Sequence, residues 1–186
     1  RQNDKRGHME AMPYSDVPAL MQKLAAASPT TGRDALRFTI YNAVRSNETR
    51  LAVWAEFDLE NAVWTIPAAR MKAGETHVVP LSAAVVALLR KRWEERTSDT
   101  GLVFSNDGKK PISDMTMTKL LRDDGFASIT VHGFRSTFTD WAAECTDFPK
   151  EVADKALAHK LPNKVEAAYR RTDFFEKRRT LMSQWT

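Results

Sequence analysis

The chain has 186 residues, with 28 Lys or Arg against 24 Asp or Glu, a net charge of +4 and a sequence pI near 9.3. That length suits one domain with a sizeable core, and so small a basic surplus permits a nucleic-acid partner without requiring one. Its single cysteine, Cys145, excludes an internal disulfide or a cysteine zinc cluster. The histidines, His8, His77, His132 and His159, lack the short paired spacing of metal sites. No apolar run reaches the ~18 residues of a membrane span, and no signal peptide is visible. A soluble cytoplasmic protein is expected. The first residue is Arg1 rather than methionine, so the sequence reads as a piece of a longer protein.

Residues 1–12 are polar and irregular, a linker or the end of a preceding domain, and residues 13–186 read as one domain. Ser15-Asp16 opens a helix that tolerates Pro18 in its first turn and carries a stripe of Val17, Leu20, Met21 and Leu24. A second helix runs from Thr31-Gly32 towards Val44, with Arg45 at or just past its end. Three β-rich segments follow, 52–59, 62–67 and 76–81, and predict a small antiparallel sheet. Lys72 lies near the tip of the turn between the last two. Ser82 caps a helix bearing Val85, Val86, Leu88, Leu89 and Trp93, and Ser113-Asp114 opens another to about Arg122. Further helices are expected over 133–145, 149–158 and 163–169. A last one, 173–184, places Phe174, Phe175, Leu181, Met182 and Trp185 on one side. The fold class is α+β, mainly helical, with one small three-stranded sheet.

The chemistry concentrates between His132 and Arg171. In Val131-His132-Gly133-Phe134-Arg135, the imidazole and guanidinium stand three residues apart on one helix face. Leu157-Ala158-His159 follows, then Ala168-Tyr169-Arg170-Arg171. A guanidinium binds phosphate with a fork of donors, and a tyrosine oxygen can form a covalent intermediate, so the set points to phosphoryl transfer to tyrosine. Each residue alone has an ordinary reading. His132 could cap its helix, Arg135 could pair with Asp140 or Glu144, and Tyr169 could be a packing residue. Arg45 could complement a helix dipole, Lys72 could be a solvated lysine, and the C-terminal aromatics could be a packing stripe.

The ordered series Arg45, Lys72, His132, Arg135, His159, Tyr169 resembles the active-site set of the tyrosine recombinases, or phage-type integrases, in particular those of prophages and genomic islands. The similarity extends to Trp64-Thr65-Ile66-Pro67, Arg70-Met71-Lys72, His77-Val78-Val79-Pro80-Leu81-Ser82 and Arg171-Thr172-Asp173-Phe174. One departure is local. Tyr41-Asn42 stands where the family usually has Thr-Gly, and Ser46-Asn47 where Pro-Gly is common, while Arg45 and Glu48 keep the Arg-x-x-Glu spacing.

The resemblance implies a catalytic domain that cuts and rejoins double-stranded DNA at attachment sites, for prophage or genomic-island integration and excision. Tyr169 would form a 3′-phosphotyrosine bond. Arg45 and Arg135 would clamp the phosphate, Lys72 would protonate the leaving 5′-oxygen, and His132 would assist proton transfer. His159 would hydrogen-bond the phosphate, and Glu48 would orient His132 or the arginine. Neither metal nor cofactor is implied. Self-association on DNA is expected, the last helix docking its Phe174, Leu181 and Trp185 face on a neighbour, with accessory directionality or DNA-bending proteins as further partners and no membrane. Two alternatives stay open: a type IB topoisomerase-like enzyme, and a DNA-binding module of the same fold that has lost activity.

Overall fold

The computed structural model describes residues 10–96, 101–159 and 172–186. Helix α1, Val17–Ala26, follows a single tight turn at Tyr14–Asp16 and carries Pro18 in its first turn, where the missing N–H costs nothing. Val17, Leu20, Met21 and Leu24 are all buried, which is the i, i+3, i+4, i+7 stripe read from the sequence. Helix α2, Thr31–Asn42, is capped by the Thr30 hydroxyl, which accepts from the Arg33 N–H at 3.2 Å. It ends at Ala43, whose φ of 49° places it in the left-handed region. The chain then turns directly into the short helix α3, Ser46–Arg50, with Arg45 as its cap residue.

The sheet is three-stranded and antiparallel in the order β1 (Phe57–Asp58), β2 (Val63–Ile66), β3 (His77–Pro80). Trp64 pairs with Val79 and Ile66 with His77, so the β2–β3 connection carries Lys72 beyond the end of the ladder. The segment expected as a first strand over 52–59 pairs only at its end. Val53 makes an isolated bridge to Leu102, and Trp54–Glu56 forms a tight turn. Packing decides this: the buried Trp54 ring stands edge-on to Trp93, with centroids 5.0 Å apart.

Helix α4, Ala83–Glu94, begins at the Ser82 cap. Helix α5, Thr116–Asp123, starts slightly later than its serine signal predicts. Helix α6 spans Gly133–Cys145 as expected, and α7 is Lys150–Ala156. The expected helix over 163–169 lies outside the described residues. Helix α8, Phe175–Trp185, closes the chain. No helix among the described residues is long and apolar enough to cross a membrane.

Two cores result. The larger packs α1, α2, α4 and α5 against the sheet, around Phe38, Trp64 and Phe104. The smaller joins α6, α7 and α8 through Phe138, Val152, Leu157, Leu181 and Met182. Ala43 belongs to the second and Val44 to the first, so the α2–α3 junction sits where they meet. Just ahead of α1, Glu10 bridges Ile129, and Thr137 donates its hydroxyl to the Met12 carbonyl at 2.7 Å.

The apolar face of the last helix is buried on its own domain. Leu181 is fully buried, and the Trp185 ring lies 5.1 Å from Trp141 and 5.5 Å from Phe138. The Trp185 indole donates to the Ile40 carbonyl at 2.8 Å. The aromatic stripe is satisfied within the chain because α2 and α6 present matching apolar surface.

Candidate active site

Arg135 comes from the buried side of the first turn of α6 and is 5 % exposed. The ordinary reading of Arg135, an ion pair with Asp140 or Glu144, is not its partnership. Its two terminal nitrogens instead donate to the carbonyls of Ala43 and Leu157, each at 2.7 Å. Those carbonyls are the C-terminal caps of α2 and α7, the negative ends of two helix dipoles. Glu144, on the far end of α6, accepts from Tyr14 at 2.7 Å. Burial, and then the neighbouring Arg45 charge, lower the Arg135 pKa to about 10, which leaves it cationic at neutral pH. The two carbonyl dipoles, with the nearby Glu48 carboxylate, stabilise this guanidinium, and no carboxylate is hydrogen-bonded to it directly, so it keeps attraction for an incoming anion.

Arg45 is held differently. Its guanidinium donates to Glu48 Oε1 at 2.7 Å, while its backbone N–H donates to Glu48 Oε2 at 2.8 Å. Glu48 is 4 % exposed, so this buried carboxylate fixes Arg45 at the start of α3. Of the two roles expected for Glu48, its hydrogen bonds go to the arginine.

Lys72 and His132 are exposed. Lys72 sits in the β2–β3 hairpin, and His132 is the residue immediately before α6, with no capping bond from its side chain. Burial lowers the His132 pKa, and the charges of Arg135, Arg45, His159 and Lys72 lower it further, in that order. At neutral pH the ring is therefore the neutral form that can accept a proton. His159 follows Ala158, whose φ is 50°, and its Nδ1 lies 3.2 Å from Asp154 Oδ1. Asp154 thus fixes the ring and biases Nδ1 to be the protonated nitrogen.

These groups converge. An open cleft of about 640 Å³ is lined by Arg45, Lys72, Ala73, Lys150, Asp154, Ala158 and His159. His132 and Arg135 are close enough to share its electrostatic field. With three fixed cations against one carboxylate on its wall, the cleft is built for an anion. Tyr169 lies outside the described residues. Among those residues no three His, Cys, Asp or Glu side chains gather as a metal-ligand set.

Several supporting groups were missed by sequence reasoning. Asp154 and Lys150 carry only helical spacing relative to His159. Buried His77 hydrogen-bonds through Nε2 to the Ala156 carbonyl at 3.2 Å, beside the carbonyl that holds Arg135. Arg178 ties α8 to β3 through the Val78 carbonyl at 2.6 Å and to Asp173 at 2.9 Å. The contacts of His77 with Ala156 and of Arg178 with Val78 span elements far apart in sequence, and no local pattern announces them.

Known proteins resemble this chain over nearly all of its length. The chain is 34% identical over 181 residues to the prophage integrase IntZ of Escherichia coli strain K12, covering 96% of this chain and 44% of that protein. It is 33% identical over 199 residues to the integrase of Enterobacteria phage P4, covering 97% of this chain and 45% of that protein. The chain thus spans about half the length of the curated relatives it matches. Among solved structures, the integrase from mycobacterium phage Brujita superposes with a TM-score of 0.70 at 17% identity, over 98% of this chain and 60% of that one. The XerA recombinase gives 0.63 at 16% identity, over 94% and 64%. The fold expected from the sequence, a mainly helical recombinase catalytic domain with a small antiparallel sheet, is the fold found. Residues 10–176 match the Phage integrase family, and the chain belongs to that family.

Proposed function

We propose that this chain is the catalytic domain, over residues 13–186, of a site-specific DNA recombinase that cuts and rejoins double-stranded DNA through Tyr169. The observation that carries this reading is the cleft lined by Arg45, Lys72 and His159, with Arg135 and His132 near enough to feel the Arg45 charge. Integrases among the relatives and a neighbour described as XerH bound to its difH substrate support DNA as the partner.

The chemistry follows from the groups. Tyr169 oxygen attacks the scissile phosphorus, forming a 3′-phosphotyrosine bond as the bond to the 5′-oxygen breaks. The tyrosine proton passes to neutral His132, and the Lys72 ammonium gives a proton to the leaving 5′-oxygen. Arg45 and Arg135 hold the non-bridging oxygens as charge builds on them, and His159, as an imidazolium whose Nδ1–H stays with Asp154, donates from Nε2 to the same phosphate. Because the phosphate ester is exchanged rather than hydrolysed, a 5′-hydroxyl from another strand can reverse the step without an external energy source. Self-association on DNA and accessory directionality or DNA-bending proteins complete the proposed assembly at attachment sites.

The test is a nicked suicide substrate carrying the candidate attachment site, resolved on denaturing gels. Wild type is expected to become covalently joined to DNA, and Tyr169→Phe to bind without joining. Attachment that persists in Tyr169→Phe would overturn the assignment of the nucleophile. Binding by wild type that never yields a covalent product would favour a DNA-binding module without activity.

A further inference from the structure

Arg70 lies two residues before Lys72, in the tight turn Ala68–Arg70 that leads from β2 into the hairpin. Its side chain is 19% exposed and reaches back across three parts of the chain. One terminal nitrogen donates to both carboxylate oxygens of Glu56, at 2.6 and 2.8 Å, and to the Leu51 carbonyl. The other donates to the Glu48 carbonyl at 2.7 Å. Glu56 is itself fixed, because its Oε2 accepts from the indole of fully buried Trp64 in β2 at 3.0 Å. Glu48 is the residue whose carboxylate holds Arg45.

A continuous chain of contacts therefore runs from the peptide preceding Lys72, through the Arg70 guanidinium, to the helix that fixes Arg45. We propose that Arg70 is a positioning residue for strand cleavage: it locks the Lys72 hairpin to α3, so that the general acid and the phosphate clamp are delivered in one geometry. The inference rests on the phosphoryl-transfer reading of the cleft and adds to it a residue that lines none of the cleft. A fork of donors suits this. A lysine at position 70 keeps the charge but replaces two nitrogens held apart in a rigid fork by one on a flexible stem, so it ties the Glu56 carboxylate and the Glu48 carbonyl together less firmly.

The test compares wild type, Arg70→Lys and Lys72→Ala on two suicide substrates, one ordinary and one with sulfur at the scissile 5′-bridging position. A thiol has a pKa of about 8.5, far below that of a hydroxyl, so sulfur leaves without general-acid help. Arg70→Lys is expected to cleave the ordinary substrate about 10²-fold more slowly, the scale of a small misplacement, with DNA binding retained. On the sulfur substrate most of that defect should vanish, as it should for Lys72→Ala. A residue of merely structural importance would lose activity equally on both. Equal defects on the two substrates, or wild-type rates for Arg70→Lys on both, would overturn the inference while leaving the recombinase reading standing.

Hydrogen exchange read on the same proteins separates the two claims if no DNA is cleaved at all. Faster exchange in residues 68–76 and 46–50 together, with α4 unchanged, would support the lock even as the catalytic reading fell. Faster exchange in only one of the two segments would overturn it.

Discussion

Arg135 and Glu48 belong to the interior, at 5 % and 4 % exposure, and every bond described for them goes to backbone or to a fixed side chain. Lys72, His132 and His159 face solvent, on a hairpin, before a helix and after a helix. The candidate site thus has a buried half behind the cleft that carries permanent charge and an exposed half that carries exchangeable protons. The division has a physical basis. A clamp for a charged transition state works best preorganised, since its dipoles and charges need not rearrange during reaction. A group that gives or takes a proton needs access to water to be reset. Arg45 stands between the two, part-exposed yet tied to the buried carboxylate.

Substitutions on the two sides should fail differently. Arg135→Ala should produce the largest change. Covalent attachment is expected to fall by about 10³-fold or more, by analogy with other arginines that stabilise phosphoryl transfer. Stability should fall as well, by about 1–3 kcal/mol for each carbonyl left without a donor, read by urea unfolding. An unchanged unfolding midpoint would break the comparison, because the buried clamp would then be separable from the core.

Lys72→Ala should lose about 10²–10⁴-fold in cleavage, the range of general-acid catalysis, with the same unfolding midpoint as wild type. A marked destabilisation would place Lys72 on the structural side after all. The smallest effect sharpens the buried half without DNA. Burial, and then the Arg178 charge, lower the His77 pKa from 6.5 to about 4. Because the folded value is the lower one, the unfolded chain takes up its proton first as pH falls. The contribution is complete above about pH 6.5 and is lost between there and about pH 4. At 1.36 kcal/mol per pKa unit it is on the order of 3 kcal/mol. His77→Leu should flatten the pH dependence of unfolding in that window. An equally steep slope in the variant would show that other groups titrate there.

What the sequence revealed follows the same boundary. Helix α6 was legible to the residue, and so was the stripe of α1, because periodicity and Gly or Pro signals are local. The exposed candidates Lys72, His132 and His159 were singled out through the resemblance of the ordered series to the integrase set. The buried supports were not. Arg135 invites a search for carboxylates on its own helix, and Asp140 and Glu144 satisfy that search in one dimension. In three dimensions Asp140 is exposed, and the guanidinium points into the junction of the two cores. The strand expected from Ala52 failed because Trp54 was counted as β-forming, when its packing against Trp93 requires a turn. The stripe of α8 was read correctly as apolar, but its location on α2 and α6 depends on long-range closure that periodicity does not encode.

Ala43 and the residue that follows Leu157, Ala158, share one unusual property. Both are alanines in the left-handed region, with φ of 49° and 50°, and they stand at the two helix ends whose carbonyls hold Arg135. Such a conformation costs an alanine about 1–2 kcal/mol that glycine would not incur. The guanidinium is therefore a clasp over two sprung backbone ends. Neutralise or withdraw it, and each end gains a reason to relax towards an ordinary turn. The two helices then part beside the proposed phosphate site.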